Sequence, residues 1–266
     1  MKNIAVIIQS RDRVAYLKKC INMLYRTCFD TNNFDIICVV DIDQKGLYNT
    51  VKEEFPEIKW LYPEHQERDW TNLVKIQHDF VRENDYYFIW AVCDDFQGVS
   101  PNWDQSISYH KGVFPDDIFT IHSSSNVDVN AQKSRSNCYH HDDDLVQCGW
   151  KIYQRTCERL PVNTKKWIEL MSPFLMNKSY CNQHELITAS LALLLKYHYG
   201  IKRVVTIDGF YWTNLEDTGG SLINERGKIY EELYNKKFVD LMPIAEQMRD
   251  KILESNKVNT QKHILK

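Results

Sequence analysis

The stretch YFIWAVCDDFQGVSPNWD, residues 87–104, decides the fold because a continuous apolar run ends at two adjacent aspartates. Such a run is typical of a strand that is buried on both faces, as in a parallel sheet. Asp94 and Asp95 then lie at the carboxyl end of that strand. Adjacent carboxylates repel each other, so this position needs a cation or hydrogen-bond donors nearby. The stretch therefore predicts either a catalytic acidic site or the start of an ordinary solvated turn.

Strand and helix patterns alternate on the amino-terminal side of this stretch. Three segments predict strands: NIAVIIQS (3–10), whose apolar residues are continuous and β-branched, FDIICVVDID (34–43) and IKWLY (58–62). Helices are predicted between them, first with Val14, Leu17, Ile21 and Leu24 on one face, then over residues 47–55 and 70–83. This alternation predicts a mostly parallel sheet with right-handed crossovers.

The pattern changes after this stretch. SPNWDQSISYH predicts a helix with Ser100 as its cap and Pro101 at its first position. The remaining segments predict, in order, a strand at 117–123, a polar loop at 123–144, a helix at 182–200 that stops at Gly200, a strand at 203–212, and two amphipathic helices from Asn224. We expect one main domain over 1–222, divided at residue 110, and C-terminal helices over 223–266.

Composition excludes several classes of protein. The 266 residues are 43% hydrophobic and 26% charged, as in soluble globular proteins. A net charge of −3 gives no general attraction to nucleic acid, so none is expected as a partner. The apolar run in the amino-terminal MKNIAVIIQSRDR is too short for a signal peptide, and the longest later run, ASLALLL, is too short for a transmembrane span. We therefore expect a cytoplasmic protein.

Eight cysteines are scattered at irregular intervals and are expected to be reduced and mostly structural. The segment CYHHDDDLVQC, from Cys138 to Cys148, could offer zinc two thiolates and an imidazole as ligands. It lacks the paired short spacings of zinc modules, which favours a polar loop over a zinc site.

Charged residues follow three of the predicted strands. They are Arg11 and Arg13, Asp41 and Asp43, and Asp94 and Asp95. In parallel sheets the carboxyl ends of strands share one edge, where ligands collect. Mg²⁺ or Mn²⁺ accepts one or two carboxylates and completes its shell with water and phosphate oxygens. The two arginines are expected to contact those phosphates.

Three motifs in this order resemble those of GT-A glycosyltransferases, in particular family-2-like members. They are VIIQSRDRVAYLKKCINMLY (6–25), DIICVVDID (35–43) and WAVCDDFQGVSPNWDQSI (90–107). The resemblance covers most of residues 1–215. It implies an α/β, Rossmann-like fold with a mostly parallel central sheet flanked by helices, and a C-terminal helical appendage. Residues 1–110 would be the nucleotide-binding half and residues 111–222 the acceptor half.

The resemblance also implies roles for individual residues. Asp41 matches the contact to the donor nucleobase, and Asp43 lies beside it. Asp95 matches the ligand of Mn²⁺ or Mg²⁺, and Asp94 matches a partner of the ribose or of metal-bound water. The family motif reads Asp-x-Asp, and Cys93 departs from it at the first place, which puts strict metal dependence in question.

Inverting members of this family place a carboxylate base near the start of a later helix. Glu185, in NQHELITASL, matches that place, and Asp217, in LEDTGG, is the second candidate. A helix dipole keeps a first-turn carboxylate ionised, but acidic first-turn residues are also common without any catalytic role. His122 and His184 are weaker candidates for metal or diphosphate binding. Three aromatic residues suit stacking on a sugar ring: Trp103, Tyr211 and Trp212.

Three functions stay open. The first is transfer of a sugar from a nucleotide-diphosphate sugar to a hydroxyl acceptor such as a glycan. The second is nucleotidyl transfer to a sugar phosphate, although the first loop, QSRDR, has no glycine and the chain has no Gly-x-Gly. The third is a non-catalytic scaffold or glycan-binding module. The C-terminal helices carry charges of both signs, so packing on the domain or in a homodimer is favoured over peripheral membrane contact.

Overall fold

The computed structural model describes residues 2–65, 71–123, 161–175, 184–207, 210, 212–214 and 241–256. The strands are β1 (Ile4–Gln9), β2 (Phe34–Val39), β3 (Lys59–Leu61), β4 (Phe88–Cys93), β5 (Phe96–Val99), β6 (Thr120–Ser123), β7 (Val162–Thr164), β8 (Val204–Ile207) and β9 (Trp212–Asn214). The helices are α1 (Val14–Thr27), α2 (Asn49–Glu54), α3 (Thr71–Glu83), α4 (Trp103–Ser108), α5 (Lys165–Leu175), α6 (His184–Tyr199) and α7 (241–256).

Seven strands form the central sheet in the order β3-β2-β1-β4-β7-β6-β8. Strands β1 to β4 are parallel, and β6 is parallel to β8, whereas β7 is antiparallel to both its neighbours. The mostly parallel sheet predicted from the alternation is therefore confirmed. β5 and β9 form a separate two-stranded sheet, in which Phe96 pairs with Asn214.

Both faces of the central sheet are covered. On one face, α1 packs Leu17, Ile21 and Leu24 against the side chains of β1, β2 and β4, as the spacing of its apolar residues predicted. On the other face, α5, α6 and α7 complete a second buried cluster. In α7, Ala245 and Met248 are fully buried within that cluster, so this helix packs on the sheet of its own domain.

One helix start differs from the sequence prediction. α4 begins at Trp103, and its N-cap is Asn102 with φ 59°, not Ser100. Asparagine tolerates this left-handed conformation better than most residues. The helix therefore starts after the turn, and Pro101 lies in the turn and not at the first helical position.

The described cysteines are free thiols, namely Cys20, Cys28, Cys38 and Cys93, and Cys20 and Cys38 are buried. The segment from Cys138 to Cys148 lies outside the described residues. Within the described ranges, no helix is both long enough and apolar enough to cross a membrane.

Candidate active site

The loop between β1 and α1 lies at the centre of the site. β1 is flanked in the sheet by β2 and β4, so the loop after it lies between the loops that follow those strands. Asp12 adopts a left-handed φ of 57° in this loop, and its backbone N–H donates to Gln44 Oε1 over 2.9 Å. This contact stabilises a conformation that non-glycine residues rarely adopt. Arg11, before Asp12, contacts the loop after β2, and Arg13, after it, contacts the loop after β4.

Arg11 joins the two aspartates that follow β2. Its guanidinium donates to Asp41 Oδ2 and forms two hydrogen bonds with Asp43, of 3.2 and 3.1 Å. His65 Nδ1 lies 3.0 Å from the same Asp41 oxygen. Hydrogen bonding from Arg11 lowers the pKa of Asp43, so this carboxylate stays ionised at neutral pH.

Arg13 joins the two aspartates that follow β4. Its Nε donates to Asp94 Oδ2 over 3.1 Å, and its Nη2 pairs with Asp94 Oδ1. Its third nitrogen, Nη1, lies 3.8 Å from Asp95 Oδ2. One edge of the guanidinium therefore contacts both carboxylate oxygens of Asp94, and the remaining nitrogen lies near Asp95.

Asp94 is buried, and a second set of groups holds it in place. Ser10 Oγ donates to Asp94 Oδ2 over 2.7 Å and lies 2.8 Å from the hydroxyl of Tyr48. Burial raises the pKa of Asp94, and the contacts with Ser10 and Arg13 offset only part of that effect. The protein thus keeps a carboxylate in a place where ionisation is unfavourable, which is common at functional sites.

Asp95 is the more accessible of the two, with its side chain 26% exposed. Among the described residues, no cluster of three or more His, Cys, Asp or Glu side chains could hold a metal ion by itself. One or two carboxylates are enough for Mg²⁺ or Mn²⁺ when substrate phosphates and water supply the other ligands. The oxygen donors of Asp94 and Asp95 fit such an ion.

Trp103 was a candidate for sugar stacking, and that prediction is wrong. The indole is fully buried, its ring centroid lies 4.8 Å from that of Phe34, and its Nε1 donates to the carbonyl of Leu24. The next residue, Asp104, accepts hydrogen bonds from the backbone N–H groups of Phe29 and Asp30. This part of the motif therefore stabilises the end of α1 and does not face a ligand.

Most of the remaining candidates have side chains outside the described residues. Glu185 and His184 begin α6, but their side chains lie outside the described part of the structure, as do Asp217 and Tyr211 and the side chain of Trp212. His122 is buried in β6. The pairing of Phe96 with Asn214 does bring β9 beside the residue that follows Asp95.

Sequence reasoning missed three residues of the site: Ser10, Tyr48 and His65. His65 follows the end of β3, and the backbone bond from Ile42 N–H to the Pro63 carbonyl, 2.9 Å long, ties that segment to the loop after β2. The rule that located the other candidates, charge after a strand, would have found His65 had it been applied to β3. Tyr48 gives no comparable signal, because its hydroxyl reaches Ser10 from the start of α2.

Comparison with known proteins identifies the class of fold. No family model matches the chain, and no match was found among curated proteins. Among solved structures, S. aureus TarS 1-349 has 10% identity and a TM-score of 0.51 over 96% of this chain and 81% of that chain. Its complex with UDP has 10% identity and a TM-score of 0.52 over 93% and 70%. The mannosyltransferase PcManGT from Pyrobaculum calidifontis, in complex with GDP-Man and Mn²⁺, has 9% identity and a TM-score of 0.51 over 99% and 80%. The chain has a GT-A-like fold, as the resemblance of its motifs implied.

Proposed function

We propose that the protein is a metal-dependent glycosyltransferase that moves a sugar from a nucleotide-diphosphate sugar to a hydroxyl acceptor, such as a glycan. The observation that carries this proposal is the two arginine–aspartate clusters, which lie side by side at the carboxyl edge of the sheet. A nucleotide diphosphate has N–H and O–H donors at one end and phosphate oxygens at the other, so it needs carboxylates and cations together. The nucleotides and Mn²⁺ bound in the solved neighbours support the same donor class.

Different residues of the site contact different parts of the nucleotide-sugar donor. Asp41, with Asp43 beside it, accepts hydrogen bonds from the nucleobase, while Arg11 and Arg13 contact the diphosphate. Asp95, with Asp94 beside it, would hold Mn²⁺ or Mg²⁺ through carboxylate oxygens. When bound, the ion offsets the charge of the diphosphate leaving group.

Inversion at the anomeric carbon requires a base on the acceptor side. Glu185, near the start of α6, takes the proton of the acceptor hydroxyl while the diphosphate leaves from the opposite side of the sugar. Asp217 is the alternative base, and it follows Asn214, whose backbone pairs with Phe96, by three residues. Replacing each of the two by alanine in separate variants, with turnover as the readout, distinguishes them.

A thermal-shift screen tests the donor class. The protein is melted with UDP, GDP, CDP and TDP, each with and without Mn²⁺, because a ligand that binds only the folded state raises its melting temperature. We expect one nucleotide to stabilise the wild type in a metal-dependent manner. Asp95→Ala should abolish that shift and lower turnover of the matching nucleotide sugar by about 100-fold or more.

Asp85→Ala is the matched control. Asp85 is exposed and lies just before β4, whereas Asp95 lies just after it, so the two variants lose the same charge at opposite ends of one strand. An unchanged turnover in Asp95→Ala would refute the proposed metal role. Release of pyrophosphate from a nucleoside triphosphate would assign nucleotidyl transfer instead, and no binding of any nucleotide would favour a non-catalytic module.

The proposal extends to the setting of the protein. We infer that it acts in the cytoplasm, with peripheral membrane contact or a homodimer through residues 223–266 as further possibilities. Since α7 buries Ala245 and Met248 on its own domain, a dimer would use the opposite face of α7 or other parts of this segment. A monomeric mass in light scattering would rule out the dimer.

A further inference from the structure

The guanidinium of Arg13 lies where a positive charge is needed between Asp94 and Asp95. It contacts both oxygens of Asp94 and lies 3.8 Å from Asp95. An ion bound at Asp95 would therefore have a positive neighbour at short range. The same guanidinium would attract a diphosphate, because a planar fork of N–H donors suits phosphate oxygens.

We propose that Arg13 makes the binding of a divalent cation at Asp95 conditional on a bound diphosphate. This inference rests on the proposed function, from which it takes the diphosphate. Without the diphosphate, Arg13 repels the ion. With the diphosphate present, the phosphate charge offsets that repulsion, and cation and diphosphate each strengthen the binding of the other, as linkage requires.

The contacts around Arg13 allow it to change partner. Its side chain is 45% exposed, so it can turn toward a ligand without breaking the core. Ser10 donates to the same Asp94 oxygen as Arg13 does, and Tyr48 holds Ser10 in turn. Asp94 therefore keeps a hydrogen-bond donor when the guanidinium moves to the diphosphate.

Direct measurement of Mn²⁺ binding tests this role without any turnover. The electron paramagnetic resonance signal of free Mn²⁺ is titrated with wild-type protein, Arg13→Gln, Arg13→Lys and Arg26→Gln at low ionic strength. Arg26→Gln removes the same charge from the last turn of α1, about 20 Å along the helix from Arg13. Lysine at position 13 keeps the charge and loses the planar fork.

We expect Arg13→Gln to bind Mn²⁺ alone about tenfold more tightly than the wild type. A tenfold change in affinity corresponds to the repulsion between a guanidinium and a divalent ion about 6 Å apart, even at the dielectric constant of water. Arg13→Lys and Arg26→Gln should stay close to the wild type. Addition of UDP or GDP, whichever binds, should tighten Mn²⁺ binding strongly in the wild type and much less in Arg13→Gln.

A purely structural role for Arg13 predicts no gain in Mn²⁺ affinity, because a loosened acidic pair would bind Mn²⁺ no better than before. Equal or weaker Mn²⁺ binding by folded Arg13→Gln would overturn this inference and leave the proposed function intact. Failure of the wild type to bind either nucleotide, with or without Mn²⁺, would overturn both. The two failures are therefore distinguishable.

Discussion

Asp35 and Asp94 lie at opposite ends of the sheet, and their pKa values shift in opposite directions. Asp35, near the amino end of β2, accepts hydrogen bonds from Lys2 at 2.8 Å, Lys59 at 2.9 Å and Tyr86 at 2.6 Å. Burial alone would raise its pKa, but these three donors outweigh burial and lower it. At Asp94, burial outweighs Ser10 and Arg13, and the pKa is raised.

The contrast separates a charge that stabilises the fold from one that the fold merely tolerates. Asp35 has two ammonium groups for one carboxylate. At the other edge, four aspartates share the guanidiniums of Arg11 and Arg13. A cluster of carboxylates with fewer cations than negative charges is suited to receive a further positive charge. The cluster around Asp35, in which cations outnumber carboxylates, is not.

The largest effect is expected on activity, when the buried carboxylate of Asp94 is replaced. Asp94→Asn should lower sugar transfer about 100- to 1,000-fold, which is about 3 to 4 kcal/mol of barrier. Its free energy of unfolding should equal or exceed that of the wild type by up to about 1 kcal/mol, because the variant removes an unfavourably buried charge. Turnover and urea denaturation, measured on the same preparation, check both parts. A marked loss of stability would show that Asp94 is structural.

Asp35→Asn should give the converse result. Replacing the carboxylate weakens charge-assisted hydrogen bonds from two lysines, so we expect a loss of about 2 kcal/mol of stability, or about 4 to 8 °C in melting temperature for a chain of this size. Turnover per folded molecule should not change. Lower turnover at full folding would mean that the two ends of the sheet are coupled.

The pH dependence of stability should separate the same two groups. The lowered pKa of Asp35 means that its contribution is present above its ordinary pKa, about 4, and is lost as the pH falls through the folded value. The raised pKa of Asp94 means that its contribution is present below about 4 and is lost as the pH rises through the folded value. As the pH rises from 3 to 7, the melting temperature of Asp94→Asn should therefore climb above that of the wild type, whereas the melting temperature of Asp35→Asn should fall below it. Parallel curves would contradict the assigned directions.

The smallest effect is expected from replacing Lys2, which lies at the surface of the cluster around Asp35. Lys2→Met should cost less than about 1 kcal/mol, because the side chain is 37% exposed and Asp35 keeps Lys59 and Tyr86. Lys251→Met, at an exposed position of α7, is the control for loss of a surface charge. A cost near that of Asp35→Asn would mean that Lys2 alone holds the cluster together.

The sheet could be predicted from sequence where its strands are apolar and follow helices of regular period. β7 escaped prediction because it has only three residues, Val162–Thr164, two of them polar. Its antiparallel direction depends on pairing with β4 and β6, which are distant in sequence. The turn before α4 was mispredicted because Ser-Pro resembles a helix start, while the left-handed Asn102 provides it.

The sequence was enough to predict which edge of the sheet carries the candidate site, but not which side chains contact each other there. Because the carboxyl ends of parallel strands share one edge of the sheet, the sequence predicted that Arg11, Arg13 and the four aspartates lie together. The structure confirms that they lie at this edge. The sequence could not assign Arg11 to one aspartate pair and Arg13 to the other, because this depends on the left-handed residue between them. The catalytic roles of these residues stay predictions.

The position of α7 has a consequence for synthesis of the chain. Its buried residues share one cluster with Ile7 and Ile37, near the amino end of the sequence. α5 and α6 cover part of that face of the sheet earlier, but the part that α7 covers stays exposed until residues 241–256 have been made. A chain that stalls or is cut before residue 241 would expose apolar sheet surface, which makes it prone to aggregation and a substrate for chaperones and proteases.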